Sequence, residues 1–354
     1  MSKTILSLLA FSGVCQGKLT VKYVGQEQLT AEDQFEQFKF KFNKVYESDV
    51  EHAIRFANFK ASLARIESGN ADRRSRGKDE TLGVTKFSDL KPSEFKAMYL
   101  GRLPRRDSKP LPMLNATECP ACDRFPEATN ADSSSFDWVS KGAVTPVKDQ
   151  GQCGSCWAFG TTGDIEGVTF LKTGKLVSLS EQELVSCDKG ENEGCNGGLQ
   201  EDAFDYVKKH GITTEKDYPY HSGGGSTGSC KSAKTKNDLT YIKGWTQVSK
   251  SKKGESAIKT ALPKVGPITI GIDATPMQDY IGGVDSPQCN VDCGCTSSDL
   301  DHAVLMVGYG EKGSQSYWKI KNSWASDWGE DGYYRIEYGK NLCGLAFDAV
   351  HSHD

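Results

Sequence analysis

The chain has 354 residues, 37% hydrophobic and 25% charged, with a formal net charge of −4. That length leaves room for more than one folding unit, and the near-balanced charge gives no footprint for nucleic acid or an anionic membrane surface. The mean hydropathy is −0.53, and no run beyond the N-terminus reaches the ~18 apolar residues of a spanning helix.

Twelve cysteines are many for a reducing cytosol and point to an oxidising compartment with disulfides. The N-terminus agrees. Lys3 precedes an apolar run at residues 5–11, and Gly13, Cys15 and Gly17 are small residues suited to cleavage, so residues 1–17 read as a secretory signal peptide. From residue 30 to 100 the pattern is helical and charged. Phe35, Phe38 and Phe42 share one helix face, and Phe56, Phe59, Leu63 and Ile66 share another. Residues 82–90 read as a short strand and turn, and Pro92 opens a last helix. Residues 101–135 carry prolines at 104, 110, 112, 120 and 126 among Arg, Ser and Asp, the composition of an extended linker. Asn115-Ala-Thr117 within it is an N-glycosylation acceptor. All six tryptophans lie from Trp138 onward, which places a boundary near 131: a small helical module at 18–131 and a large globular unit at 132–354.

In that unit residues 156–172 are predicted helical, with Gly174 as the stop. Gly160, Gly163 and Gly167 inside this helix imply close packing of another backbone. Residues 180–183 and 199–210 are further helical segments. Residues 241–248, 268–272, 302–309, 317–321 and 332–338 are aromatic and β-branched runs, read as strands. Helices first and strands afterwards predict an α+β fold of two lobes with a cleft between them.

The chemistry centres on Cys156. Gln150 stands six residues before it and Cys153 three before it, and Trp157 follows. A thiol at a helix start meets backbone N–H groups and a dipole that favour thiolate. A cysteine nucleophile also needs a base and an orienter for that base. Of six histidines, only His302 heads a predicted strand. A lone histidine there is otherwise a satisfied core residue, but Asn322-Ser-Trp324 ends the next strand, where an amide oxygen can hold the imidazole.

Gln150-x5-Cys156-Trp157, Asp301-His302-Ala303 and Asn322-Ser-Trp324, in this order, resemble the papain family of cysteine peptidases, whose Cys-Gly-[Ser/Ala]-Cys-[Trp/Tyr] signature is a standard one. Glu51-x3-Arg55-x3-Phe59-x2-Ser62-x3-Ile66-x3-Asn70 and Gly83-x-Thr85-x-Phe87-x-Asp89 are similar to the two pro-region motifs of cathepsin L-like zymogens, with Ser62 and Thr85 where Asn is usual. The resemblance implies a papain-like fold with a helical and a barrel-like lobe behind an inhibitory propeptide that runs through the cleft in a non-cleavable direction. It implies a nucleophilic Cys156, His302 as acid and base, Asn322 as orienter, Trp324 as shield and Gln150 as oxyanion donor. It gives Gly197 and Gly198 to the substrate backbone. Leu199, Gln200, Gly271, Leu300 and Ala303 line the pocket for the second residue before the scissile bond, with Asp348 at its floor. A carboxylate there implies acceptance of Arg beside bulky apolar residues; the alternative is a solvent-facing Asp near the C-terminus.

The family pattern pairs Cys153 with Cys195, Cys187 with Cys230, and Cys343 with Cys295 or Cys289. For the remaining cysteines, a disulfide tether from Cys119 and Cys122 to the 289–295 loop is expected over a four-thiolate zinc site. No cofactor or metal is implied. Partners implied are protein and peptide substrates, the propeptide itself and cystatin-type inhibitors, for a monomer of the secretory pathway, lysosomal, vacuolar or extracellular. No paired-histidine insertion lies between Cys195 and Cys230, so endopeptidase action is expected. Peptide ligation through the same acyl-enzyme is the alternative. A non-catalytic binding protein of this fold would be expected to have lost Gln150, Cys156, His302 or Asn322, and all four are present.

Overall fold

Three helices precede the body of the protein. In the computed structural model, which describes residues 29–105, 112–115, 117, 119–122, 124–129 and 134–354, they are α1 (Ala31–Lys41), α2 (Asp49–Ser75) and α3 (Pro92–Tyr99). The signal-peptide expectation lies outside the described residues. Each start is chemically marked: Thr30 forms a capping box with Asp33, Ser48 accepts from the Glu51 N–H, and Pro92 sits at the first position. Phe35, Phe38 and Phe59 are buried in one aromatic cluster, with Phe42, Phe56 and Leu63 packed against it, as the spacing predicts. Burying each ring contributes about 1.5–3 kcal/mol. The two departures from the pro-region motifs are both satisfied. The buried Ser62 accepts from Arg65 at 3.0 Å, and Thr85 donates to the Gln278 carbonyl at 2.6 Å.

The body has two lobes. The helical lobe contains α4 (Cys156–Thr173), α5 (Glu181–Cys187) and α6 (Gln200–His210); α7 (Glu255–Val265) packs on the sheet lobe. The strands are β1 (Phe136–Asp137), β2 (Gly244–Ser249), β3 (Ile268–Ile272), β4 (His302–Lys312), β5 (Gln315–Lys321), β6 (Tyr333–Glu337) and β7 (Ala349–His353). They form one antiparallel sheet of order β2-β7-β3-β4-β5-β6, with β1 also on β4. One core lies under this sheet around Ile270, Met306, Trp318 and Ile336; another lies among the helices around Trp157, Leu184 and Phe204. α4 stands between them. Its glycines accommodate side chains and not a backbone: a Cβ on Gly160, Gly163 or Gly167 would fall 2.5–2.8 Å from Thr269, Leu305 or Pro267.

Cys153–Cys195 and Cys187–Cys230 pair as expected. The third expected pair is corrected: Cys343 joins Cys293, not Cys295 or Cys289. Asp273 supplies the reason. Its N–H donates to the Cys343 carbonyl and its carboxylate accepts from the Gly294 N–H, so the loop enters the core at residue 293. Cys289 and Cys295 then close on each other, and Cys119 closes on Cys122. The linker is therefore not tethered to the 289–295 loop. Its cysteine turn is anchored elsewhere, by the Ala121 N–H on the Lys264 carbonyl.

Candidate active site

Cys156 is the first residue of α4 and the only unpaired cysteine among the described residues. The 150–155 loop that precedes it is fixed from both lobes. The Tyr220 hydroxyl donates to the Gln150 carbonyl and accepts from Ser155, both at 2.8 Å. Ser323 donates to the Gln150 side-chain oxygen at 2.6 Å, and its carbonyl accepts from the Gln150 N–H. The Gln150 side-chain nitrogen donates to the Cys153 carbonyl at 2.8 Å, which leaves its second N–H as a donor.

The first residue of β4 is His302, wholly buried. The Asn322 amide oxygen, at the end of β5, holds the His302 Nε2–H at 2.8 Å. This fixes the tautomer and leaves Nδ1 without a protein hydrogen-bond partner. Trp324 covers the pair, stacked on the His302 ring with centroids 4.8 Å apart. The sequence expectations for Gln150, Cys156, His302, Asn322 and Trp324 thus converge in one place.

The prosegment lies on top of this group. The Tyr99 carbonyl accepts from the Gln150 side chain at 2.9 Å, and the Gly101 N–H reaches Cys156. Only glycine fits at 101, because a Cβ would fall 2.0 Å from the Gly154 carbonyl oxygen. Phe87 and Phe95 meet Trp324 edge-on. Residue 102 pairs with Gly198 in parallel sense: Gly198 donates to the Gly101 carbonyl and accepts from the Leu103 N–H. This cover also sets the protonation. Burial pushes the Cys156 thiol up to about 11, against backbone hydrogen bonds that lower it, and pushes His302 down to about 4. Both shifts come from burial and both disfavour a thiolate–imidazolium pair while the cleft is covered.

The pocket expected around Asp348 is filled by Arg102. The guanidinium is ion-paired to the Asp348 carboxylate, with both side chains almost wholly buried. A Cβ on Gly271 would fall 2.7 Å from Arg102 Nε, and the Leu300 side chain lies beside the same position. Leu199 and Ala303 are buried along the walls. Gly197 faces Leu103. Asp348 does not face solvent, since β7 begins at the next residue and the Asp348 carbonyl accepts from Gly271.

Sequence reasoning missed four participants. Ser323 and Tyr220 act through Gln150, and a hydroxyl gives no spacing signal. Glu201 places a second buried carboxylate near Asp348, with Arg105 within 3.6 Å of it and 3.7 Å of Asp348. Burial and then the Asp348 charge push the Glu201 carboxyl up to about 7. Arg102 itself was hidden in a basic, proline-rich linker.

Comparison with known proteins agrees with this geometry. Residues 133–353 match the model of the papain family cysteine proteases, and residues 35–95 match the cathepsin propeptide inhibitor domain. The chain belongs to the papain family. Cysteine proteinase 15A of Pisum sativum is 43% identical over 339 residues, covering 90% of this chain and 85% of that protein. Digestive cysteine proteinase 1 of Homarus americanus is 42% identical, with 91% and 94% covered. Among solved structures, digestive procathepsin L2 from Tenebrio molitor larval midgut superposes with a TM-score of 0.76 at 33% identity, covering 92% of this chain and all of that one. The recombinant stem bromelain precursor does so with 0.74 at 32%, covering 91% and 98%. This papain-family chain is a cysteine protease carrying its own propeptide inhibitor, in the fold expected from sequence.

Proposed function

We propose that the chain is a secretory-pathway endopeptidase zymogen whose Cys156 attacks the scissile carbonyl once residues 99–105 have left the cleft. Opening rehydrates the site, and the His302–Cys156 pair can then hold thiolate and imidazolium at the helix start. Sulfur bonds to the carbonyl carbon, and the oxyanion takes the Gln150 amide and the Cys156 N–H. His302 gives its proton to the leaving amine as the C–N bond breaks. It then takes a proton from water, whose oxygen displaces the thiol from the thioester. Asn322 keeps Nδ1 toward the sulfur throughout, and Trp324 keeps water from the Asn322 hydrogen bond.

The observation that carries this reading is the way residues 99–105 occupy the site. A carbonyl takes the Gln150 donor, an N–H covers the thiol, and an arginine fills the side-chain pocket. The parallel pairing on Gly198 is the reverse of the antiparallel pairing a substrate would make, so the segment inhibits without being cut. Asp348 is proposed to select substrates with Arg, beside bulky apolar residues, two positions before the scissile bond. Asn115, which is exposed, is proposed as a glycosylation site, and the signal peptide at 1–17 directs the chain to an acidic or extracellular compartment. In a peptide library, Asp348→Ala is expected to lower the Arg-to-Phe preference at that position at least tenfold. An unchanged preference would sink the pocket assignment. Addition of an amine-bearing peptide during turnover separates hydrolysis from ligation.

A further inference from the structure

The expected linker at 101–135 has two parts with different attachments. Residues 101–105 lie in the cleft, held by arginine side chains on Asp348 and Glu201. They must leave before a substrate can enter. Residues 119–122 and 124–129 are held differently, by apolar packing on the body. Ala121 and Ala128 are 0% and 1% exposed and lie within the core under the sheet. The Ala121 N–H donates to the Lys264 carbonyl in the last turn of α7 at 2.9 Å. Phe125 meets Trp138 edge-on at 5.2 Å and stacks with Phe170 of α4 at 6.4 Å. The Arg124 guanidinium lies over the Phe170 ring at 5.6 Å. Lys141 pairs with Glu127 and sits over the Phe125 ring. Trp138 in turn donates to the Leu262 carbonyl of α7.

We infer that residues 119–129 stay covalently attached to the active enzyme as a disulfide-stapled N-terminal strap, with the maturation cut on the N-terminal side of Cys119. This rests on the zymogen reading above and places the start of the mature chain upstream of the boundary near 131. Two features argue for it. A segment cut in the cleft must lie extended there, whereas the Cys119–Cys122 disulfide and the 3-10 turn at Pro126–Thr129 hold the strap folded. Losing the strap would uncover Trp138, Phe170 and the end of α7, which no other function requires. The strap also lies outside both matched family models, at 35–95 and 133–353, so neither of them fixes its fate. Upstream, residues 112–114 add to the β2 edge, through Pro112 and Leu114 on Gln247, so the chain reaches the strap already laid on the body.

The test is acid activation of the full zymogen, followed by active-site labelling, unreduced intact mass and N-terminal sequencing. The expected product begins at a residue between 106 and 119 and retains the Cys119–Cys122 pair. A first residue at 120 or beyond overturns the inference while leaving labelled Cys156, and so the peptidase reading, intact. A chain that is neither cut nor labelled overturns both. As a second readout, Phe125→Ala, or the milder Phe125→Leu should the first fail to fold, is expected to lower the melting temperature of the activated enzyme. Activated variant and wild type of identical mass and melting temperature would show that the strap had gone.

Discussion

Replacing Arg102 by alanine leaves the Asp348 carboxylate in a closed pocket without its hydrogen-bonded cation. Arg102 and Asp348 are 5% and 2% exposed, so the pair counts as buried, and removing one member of a buried pair costs about 3–5 kcal/mol. Arg105 stands 3.7 Å from the other Asp348 oxygen and offsets part of this, which favours the lower end, an increase of about 10²-fold in the open population of the zymogen. Labelling of Cys156 by a thiol-directed epoxide reads that population when closing is faster than labelling. The expected result at pH 8 is a labelling rate about 10²-fold above wild type. Arg102→Ala with Asp348→Ala in the same chain should label more slowly than Arg102→Ala alone, because the orphaned charge has gone. Equal labelling of Arg102→Ala and wild type at pH 8 would refute the claim that this pair holds the prosegment.

Glu201 gives a pH signature of its own. Its carboxyl is held at about 7 in the closed form, above the ordinary carboxylate range, so closure takes up a proton below that value and buries a charge above it. Glu201→Gln should therefore slow zymogen labelling at pH 8, with a difference that fades as pH falls toward 5; a pH-independent difference would contradict this. Gln150→Ala in the activated enzyme should lower kcat by about 10²–10³, the usual loss for one oxyanion donor, with KM little changed, as steady-state kinetics will show. Ser323→Ala should reproduce part of that loss, since Ser323 only orients Gln150. Loss of the Cys293–Cys343 bond, which spans 50 residues, should cost about 4 kcal/mol on the chain-entropy relation, measured by denaturant unfolding of the Cys293→Ser, Cys343→Ser zymogen; an unchanged midpoint would contradict the pairing.

The reacting groups were legible in the sequence because the chemistry dictates residue types at short range. A thiol at a helix start, a histidine at a strand head and an asparagine at the next strand end leave few other readings. β3 was legible to the residue, as five apolar or β-branched positions between Pro267 and Asp273. α7 was not, since it follows a Lys- and Ser-rich turn and carries Pro263 in its last turn. β7 was missed because its Ala-Val-His-Ser-His sequence reads as a polar tail. It is a strand because Asp164 of α4 receives the His351 ring and the Ser352 N–H. Three cysteines within seven residues cannot be ranked by spacing, so the Cys343 partner had to await Asp273. The role of Arg102 depends on a carboxylate 246 residues away, a distance over which composition carries no signal.

The central claim is that residues 99–105 shut a competent Cys156 site. It is tested most directly by mapping epoxide labelling by mass spectrometry on the zymogen at neutral pH and again after acid processing. Little label is expected on the intact zymogen and one label per chain after processing, all of it on Cys156. Equal labelling before and after processing, or a label on any other residue, would contradict it.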